Sequence, residues 1–286
     1  MIAITGATGK LGRLVIESLL SKTEASNLVA LVRNPQAADD LKALGLQVRQ
    51  ADYDKPETFT TALEGVSKLL LISGSEVGKR AQQHQAVIDA AKAAKLELFV
   101  YTSLLHADTS KMMLADEHKV TEAAIKATEL PAVILRNGWY TENYVESVGG
   151  VLHAGAVAGA AKDGVMNTAA RKDYAEAAAV VLTAAQPEIG RVYELAGDEG
   201  FTLAQYAAEI AKQTGKTINY APMSQTEFND MLVGVGLPEG LAAMLADSEA
   251  NAAEGSLADN SGDLSALIGR PTTPLAETLA AALNAQ

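Results

Sequence analysis

The sequence has no cysteine, so disulfides, thiolate metal centres and cysteine nucleophiles are excluded. Positive charge is scarce: 23 Lys and Arg stand against 35 Asp and Glu, for a net charge of -12. That balance argues against nucleic acid or an anionic membrane as a partner, because both need a basic face. No apolar run is long enough to span a bilayer. The N-terminus enters the first strand directly, with neither a basic nor an apolar leader segment. The expected location is the cytoplasm, without membrane insertion. Internal repeats and long linkers are also missing. What remains is a 286-residue chain, 48% hydrophobic and 20% charged, which can bury a sizeable core. It would form one large domain, or a main domain with a smaller lobe.

The first dozen residues read as a strand, a glycine turn and the start of a helix. Ile2 and Ile4 make a short β-prone run, and Gly6, Gly9 and Gly12 follow. Leu11, Leu14, Val15, Leu19 and Leu20 then recur at helical spacing. Gly6 would allow the tight turn, Gly9 the approach of a pyrophosphate, and Gly12 close packing of helix on strand. The free N–H groups of the helix start would face the phosphates. The stretch Gly6-Ala7-Thr8-Gly9-Lys10-Leu11-Gly12 is therefore a dinucleotide-binding candidate, with Lys10 adding a phosphate contact.

Five further strand-like runs follow, at Leu28–Val32, Gln47–Ala51, Leu69–Ile72, Leu98–Ser103 and Ala132–Arg136, with helical stretches between them. Such alternation predicts an α/β fold: a Rossmann-type, doubly wound parallel sheet with helices on both faces. Past Asn143 the alternation weakens. Residues 150–170 read as short strands and turns, Asp173–Leu182 as a helix, and Val192–Leu195 as a strand. Thr202 with Gln205 looks like a capping box. Helices are expected near Gln225–Val233, Pro238–Leu245 and Leu275–Leu283, with 251–262 as the loosest stretch. The expected organisation is a nucleotide-binding domain over 1–149 and a smaller, mostly helical lobe over 150–286. The helix at 173–185 would return to the first domain.

In doubly wound sheets ligands bind outside the carboxyl ends of the strands. The strand ends Thr5, Arg33, Asp52, Ser73, Ser103 and Asn137 should therefore cluster. Arg33 stands where an acidic residue would hold the ribose hydroxyls of NAD. An Arg there suits the 2′-phosphate of NADP, so NADP(H) is the expected cofactor. Asp52 and Tyr53 would flank the adenine, and Ser73-Gly74-Ser75 would pass the nicotinamide-side ribose. Asn137, Gly138, Trp139, Tyr140, Thr141, Glu142 and Asn143 follow the sixth strand, where nicotinamide and substrate should meet. His118 and Glu122 share a helix face at i, i+4. No third ligand is paired with them, so no metal is expected. His118 could instead donate a proton, or the two could form an exposed pair.

The residues Thr5-Gly6-Ala7-Thr8-Gly9-Lys10-Leu11-Gly12, Val32-Arg33-Asn34, Gln50-Ala51-Asp52-Tyr53, Tyr101 to Ser110, Leu135-Arg136-Asn137-Gly138-Trp139-Tyr140 and Tyr193 to Asp198 carry a resemblance that covers essentially the whole chain. The sequence resembles the NmrA-like group of atypical short-chain dehydrogenases/reductases. Typical members of the wider superfamily carry Tyr-x-x-x-Lys where this chain reads His118-Lys119-Val120-Thr121-Glu122. On that register the usual acid Tyr and its Lys are absent, and Ser103 is the counterpart of the usual serine. The resemblance implies NADPH-dependent, two-electron reduction of quinones, since a delocalised quinolate can take its proton from water. His118 would then shape the pocket rather than serve as an obligatory acid. The quinone would meet Ser103, Leu104, Trp139 and Asn143, between the Leu104–Ala115 loop, the Asn137–Asn143 loop and the helical lobe. The alternatives are reduction of another flat electrophile, such as a triphenylmethane dye, and a non-catalytic NADP-sensing regulator. Self-association is left open.

Overall fold

A computed structural model describes residues 1–76 and 78–285. The first half alternates as its apolar runs require. β1 (Ile2–Ile4) leads into α1 (Lys10–Leu20), β2 (Leu28–Val32), α2 (Asp39–Ala43), β3 (Gln47–Gln50) and α3 (Thr58–Ala62). Then come β4 (Lys68–Leu71), α4 (Arg80–Ala94), β5 (Leu98–Leu104), α5 (Met113–Lys126) and β6 (Ala132–Asn137). The remaining elements are α6 (Glu142–Val145), α7 (Val148–Ala154), β7 (Ala156–Gly159), α8 (Arg171–Thr183), β8 (Val192–Leu195), α9 (Leu203–Thr214) and β9 (Asn219–Pro222). Four helices close the chain: α10 (Gln225–Gly234), α11 (Glu239–Ala252), α12 (Asp263–Ile268) and α13 (Leu275–Asn284).

Strands β1 to β6 pair in parallel register, and β8 extends the sheet, in the order β3-β2-β1-β4-β5-β6-β8. This is the Rossmann-type sheet expected. Its inner strands β1, β2, β4, β5 and β6 are buried on both faces, which explains their apolar runs, whereas the edge strand β3 (Gln47–Gln50) is half-exposed and polar. Ala3, Val29, Leu31, Leu69, Leu71, Phe99 and Tyr101 pack on one face against Phe59 of α3, Val87 and Ile88 of α4 and Ile125 of α5. The alternate residues Ile2, Ile4, Leu28, Ala30, Leu70 and Val100 are buried on the other face. There α1 packs on α8, whose buried Ala175, Ala178 and Ala179 allow close approach. The strand order reverses between β1 and β4, so the loops that follow these two strands flank the crevice in which such sheets bind ligands.

The chain divides into two compact units. One comprises Met1–Ala107, Glu117–Asn137 and Arg171–Tyr193, and so includes α8; the other comprises Asp108–Asp116, Gly138–Ala170 and Glu194–Gln286. The chain thus passes back and forth between them, rather than crossing once at 149/150. Within the second unit β7 and β9 form a parallel pair, and Tyr144, Phe201 and Tyr206 make an aromatic cluster. The capping box of Thr202 and Gln205 is formed, and a second one joins Ser224 to Glu227. Residues 150–154, read as short strands and turns, lie in the helix α7, and α11 runs on to Ala252. Sequence reasoning missed β9 and α12, although Leu264, Leu267 and Ile268 of α12 stand at helical spacing. Among the described residues no helix is long and apolar enough to cross a membrane.

A Cβ built on Gly12 would stand 2.9 Å from the Ala7 Cα and closer still to the Gly6 carbonyl oxygen. Both are backbone atoms that cannot swing aside. Gly12→Ala should therefore cost about 1–3 kcal/mol of stability, read as a lower urea midpoint at unchanged slope. A wild-type midpoint would show that the helix does not need this approach.

Candidate active site

The site starts at the turn after β1. Gly6 lies in the left-handed region at φ +59, and its carbonyl accepts the Gly9 N–H at 2.9 Å. Gly9 is the N-cap of α1, with no side-chain cap and no acidic residue in the first turn. A helix start of this kind, without a side-chain cap, is the geometry that suits an anion. Gly6, Thr8, Gly9 and Lys10 lie at the surface, while Ala7, Leu11 and Gly12 are buried beneath them. A Cβ on Gly9 would meet the Gly6 carbonyl oxygen at 3.1 Å, so the turn is compact as well as open.

Arg33, just past β2, is exposed, with Glu76 at 4.0 Å from its guanidinium. Asp52 turns onto its own loop, accepting the Asp54 N–H at 3.1 Å. Tyr53 is half-buried, stacked on Phe59 at 5.9 Å, and its hydroxyl donates to the Ile72 carbonyl at 3.4 Å. Burial pushes that hydroxyl up to about 12. The Ser73-Gly74-Ser75 loop is fastened from strand β5 and helix α4. Ser73 N–H donates to Thr102 Oγ1 at 2.9 Å, and Gly74 N–H to His84 Nε2 at 2.9 Å. Arg80 Nε donates to the Gly74 carbonyl at 2.8 Å, and its Nη1 to Glu117 at 2.9 Å. Glu117 also accepts the N–H groups of Gly78 and Arg80. Sequence reasoning missed His84, Arg80 and Glu117.

The α5 face departs further from expectation. Glu122 is not an exposed neighbour of His118; it is buried and held by a neighbouring strand. Arg136 Nε and Nη2 grip its two oxygens at 2.9 and 2.8 Å, and the Ser103 hydroxyl donates to it at 2.7 Å. Burial alone would raise the Glu122 pKa, but hydrogen bonds and charge from Arg136, with Ser103, bring it below the ordinary value. The i, i+4 spacing gave a shared face but could not show what that face meets. The available signal was Arg136 itself, a charge that directly follows the apolar run Ala132-Val133-Ile134-Leu135. His118 is buried too, with Nδ1 at 2.7 Å from the Tyr101 hydroxyl. Burial, then the Arg80 charge and His84, push its pKa down to about 3, so the ring is neutral.

At the end of β6, Asn137 is buried and its Oδ1 has no hydrogen-bond partner among the described residues. A buried unsatisfied acceptor is costly, and one at a strand's carboxyl end suits a ligand that brings an N–H. Leu104 is buried at the end of β5, paired in register with Asn137. The structure thus gathers the turn at Gly6–Gly12, Arg33, Asp52, Tyr53, Ser73–Ser75, Ser103, Leu104, His118 and Asn137 in one unit. Gly138, Trp139, Tyr140, Thr141, Glu142 and Asn143 belong to the other. There Trp139 and Thr141 bond to the Ala169 backbone, Thr141 pairs its hydroxyl with Thr168, Trp139, Tyr140 and Glu142 are half-buried, and Asn143 is exposed.

Residues 6–185 match the NAD(P)H-binding family model. The chain is 55% identical over 284 residues to quinone oxidoreductase 2 of Escherichia coli (strain K12), covering 99% of each. It superposes on the crystal structure of the Escherichia coli NADPH-dependent quinone oxidoreductase complexed with NADPH, with a TM-score of 0.97, covering 99% of this chain and 100% of that one at 55% identity. It is also similar to the Citrobacter sp. triphenylmethane reductase complexed with NADP(H), with a TM-score of 0.95 at 38% identity, covering 99% and 100%.

Removing one partner of a buried ion pair leaves the other uncompensated, at a cost of about 3–5 kcal/mol. Arg136→Met should lose stability of that order in urea unfolding. Adding Glu122→Leu should recover much of the loss. Losses that simply add would show that the two side chains act independently.

Proposed function

We propose, from the premise that this chain belongs to the NAD(P)H-binding family, that it is an NADPH-dependent reductase that passes two electrons to quinones. The observation that carries this reading is the state of the α5 face. His118 is neutral, Glu122 is an anion locked to Arg136, and the Ser103 proton is committed to Glu122. An alkoxide product would need an acid here, whereas a quinolate spreads its charge and takes its proton from water. Full-length similarity to a quinone oxidoreductase supports the same substrate class.

The residues fit the cofactor. The first-turn N–H groups of α1 would hold the pyrophosphate, and Arg33 would pair with the 2′-phosphate in place of Glu76. Asp52 and Tyr53 would border the adenine. The loop at Ser73–Ser75, fixed by His84 and Arg80, would border the nicotinamide-side ribose. The open acceptor of Asn137 suits the carboxamide N–H. When bound, NADPH supplies a hydride from its nicotinamide ring; the quinone gains that hydride and one proton, leaving hydroquinone and NADP⁺. The protein's part is to align the two rings and exclude competing water chemistry.

The test is nicotinamide absorbance with a quinone panel and a triphenylmethane dye. NADPH oxidation with quinones is expected. Bleaching of the dye alone would favour the dye reductase, and tight NADPH binding without turnover would favour a sensor. In the same protein Arg33→Ala should weaken NADPH binding some tens-fold and leave NADH binding little changed, because charge-assisted phosphate contacts contribute roughly 1.5–3 kcal/mol. Equal weakening of both would remove Arg33 from the 2′-phosphate.

A further inference from the structure

Tyr101 is fully buried, and among the described residues its hydroxyl makes one hydrogen bond, to His118 Nδ1 at 2.7 Å. A buried O–H without an acceptor is costly, so the placement of this proton is constrained. Thr121 also lies beside the Tyr101 oxygen. Its hydroxyl donates to the Glu117 carbonyl at 2.9 Å and already pairs with His84 Nδ1 at 3.0 Å. Of the two neighbours His118 Nδ1 is the stronger acceptor, and its 2.7 Å separation suits donation by an O–H rather than by a ring N–H, so Tyr101 donates to it. In a neutral imidazole one nitrogen accepts and the other carries the proton. The His118 proton therefore sits on Nε2, which has no partner among the described residues.

We infer that His118 donates a hydrogen bond from Nε2, as a neutral imidazole, to the quinone oxygen that gains charge, and that Tyr101 is the positioning residue that fixes this tautomer. The catalytic half rests on the quinone reading above; the tautomer does not. Two strand positions on from Tyr101, the Ser103 hydroxyl could offer the same service but gives its proton to Glu122. His118 is thus the donor on this face. As the hydride arrives, charge builds on the quinone oxygen, and an oriented N–H stabilises it without reorganising. His118 keeps its proton throughout, and water later supplies the one that completes the hydroquinone.

His84 provides an internal contrast. Its Nε2 accepts the Gly74 N–H, so its proton is on Nδ1, facing Thr121. The two histidines should hold opposite tautomers in one protein.

Nitrogen-15 NMR of histidine-labelled protein reads this directly, with His118→Gln to assign the signals among the four histidines. The expected result is a protonated Nε2 on His118 and a protonated Nδ1 on His84. A proton on His118 Nδ1 would overturn the inference. Tyr101→Phe should mix the His118 tautomers and leave His84 unchanged; unmoved His118 signals would dismiss Tyr101 as the positioning residue. In turnover, His118→Gln keeps an N–H near the Nε2 position and should stay within about three-fold of wild type, whereas His118→Phe should lower kcat roughly 10- to 100-fold at unchanged KM for NADPH. Equal losses in both variants would overturn the donor role. If the wild type reduces no quinone, the substrate reading fails, and the NMR still decides the tautomer.

Discussion

An arginine inside a strand that is buried on both faces needs a carboxylate, and Arg136 takes Glu122. Much of the site's chemistry follows from that pairing. The carboxylate is held as an anion, so it cannot act as an acid. Its remaining acceptor capacity draws in the Ser103 proton, which removes the serine as a donor. No lysine stands at this place on α5 to lower the pKa of a neighbouring hydroxyl. What is left for a substrate is a neutral histidine, buried beside the Arg80 charge and fastened through Tyr101. Such a face suits an acceptor that needs orientation and a polarising N–H more than a proton.

The sheet supplies the other half of the site. Reversal of strand order next to β1 opens a crevice, and the turn at Gly6–Gly12 brings the N-terminus of α1 to its rim. The glycines divide the work: Gly6 adopts the left-handed backbone, while Gly12 lets helix and turn touch. The loop after β4 reaches the same rim and is held rigid by His84, Arg80 and Glu117. Its preorganisation comes from buried polar contacts across three elements, which is why it needs no secondary structure of its own.

The parts legible in the sequence were local. Apolar runs marked the inner parallel strands, and glycines between a strand and a helix marked the phosphate turn. Thr202 and Gln205 marked a helix start that forms as read. The parts that were hidden depend on distant partners. Glu122 looked exposed because its partner lies on a neighbouring strand, and His84 looked like any residue of α4. The helix at Val148–Ala154 was obscured by Gly149 and Gly150, whose low helix propensity packing overrides. β9 pairs only with β7 and is half-exposed, so it lacks both the apolar run and the alternation of an ordinary strand.

Hydride transfer that uses no acid group of the protein is tested most directly by isotopes in a single turnover with a quinone. Deuterium at the transferring position of NADPH should slow the reduction. Heavy water should not, and the rate should stay level from about pH 5 to about pH 8, because His118, with a pKa of about 3, remains neutral throughout. A solvent isotope effect as large as that of the deuterated cofactor, with a rate that falls as pH rises, would contradict this and point to a proton donor in the protein.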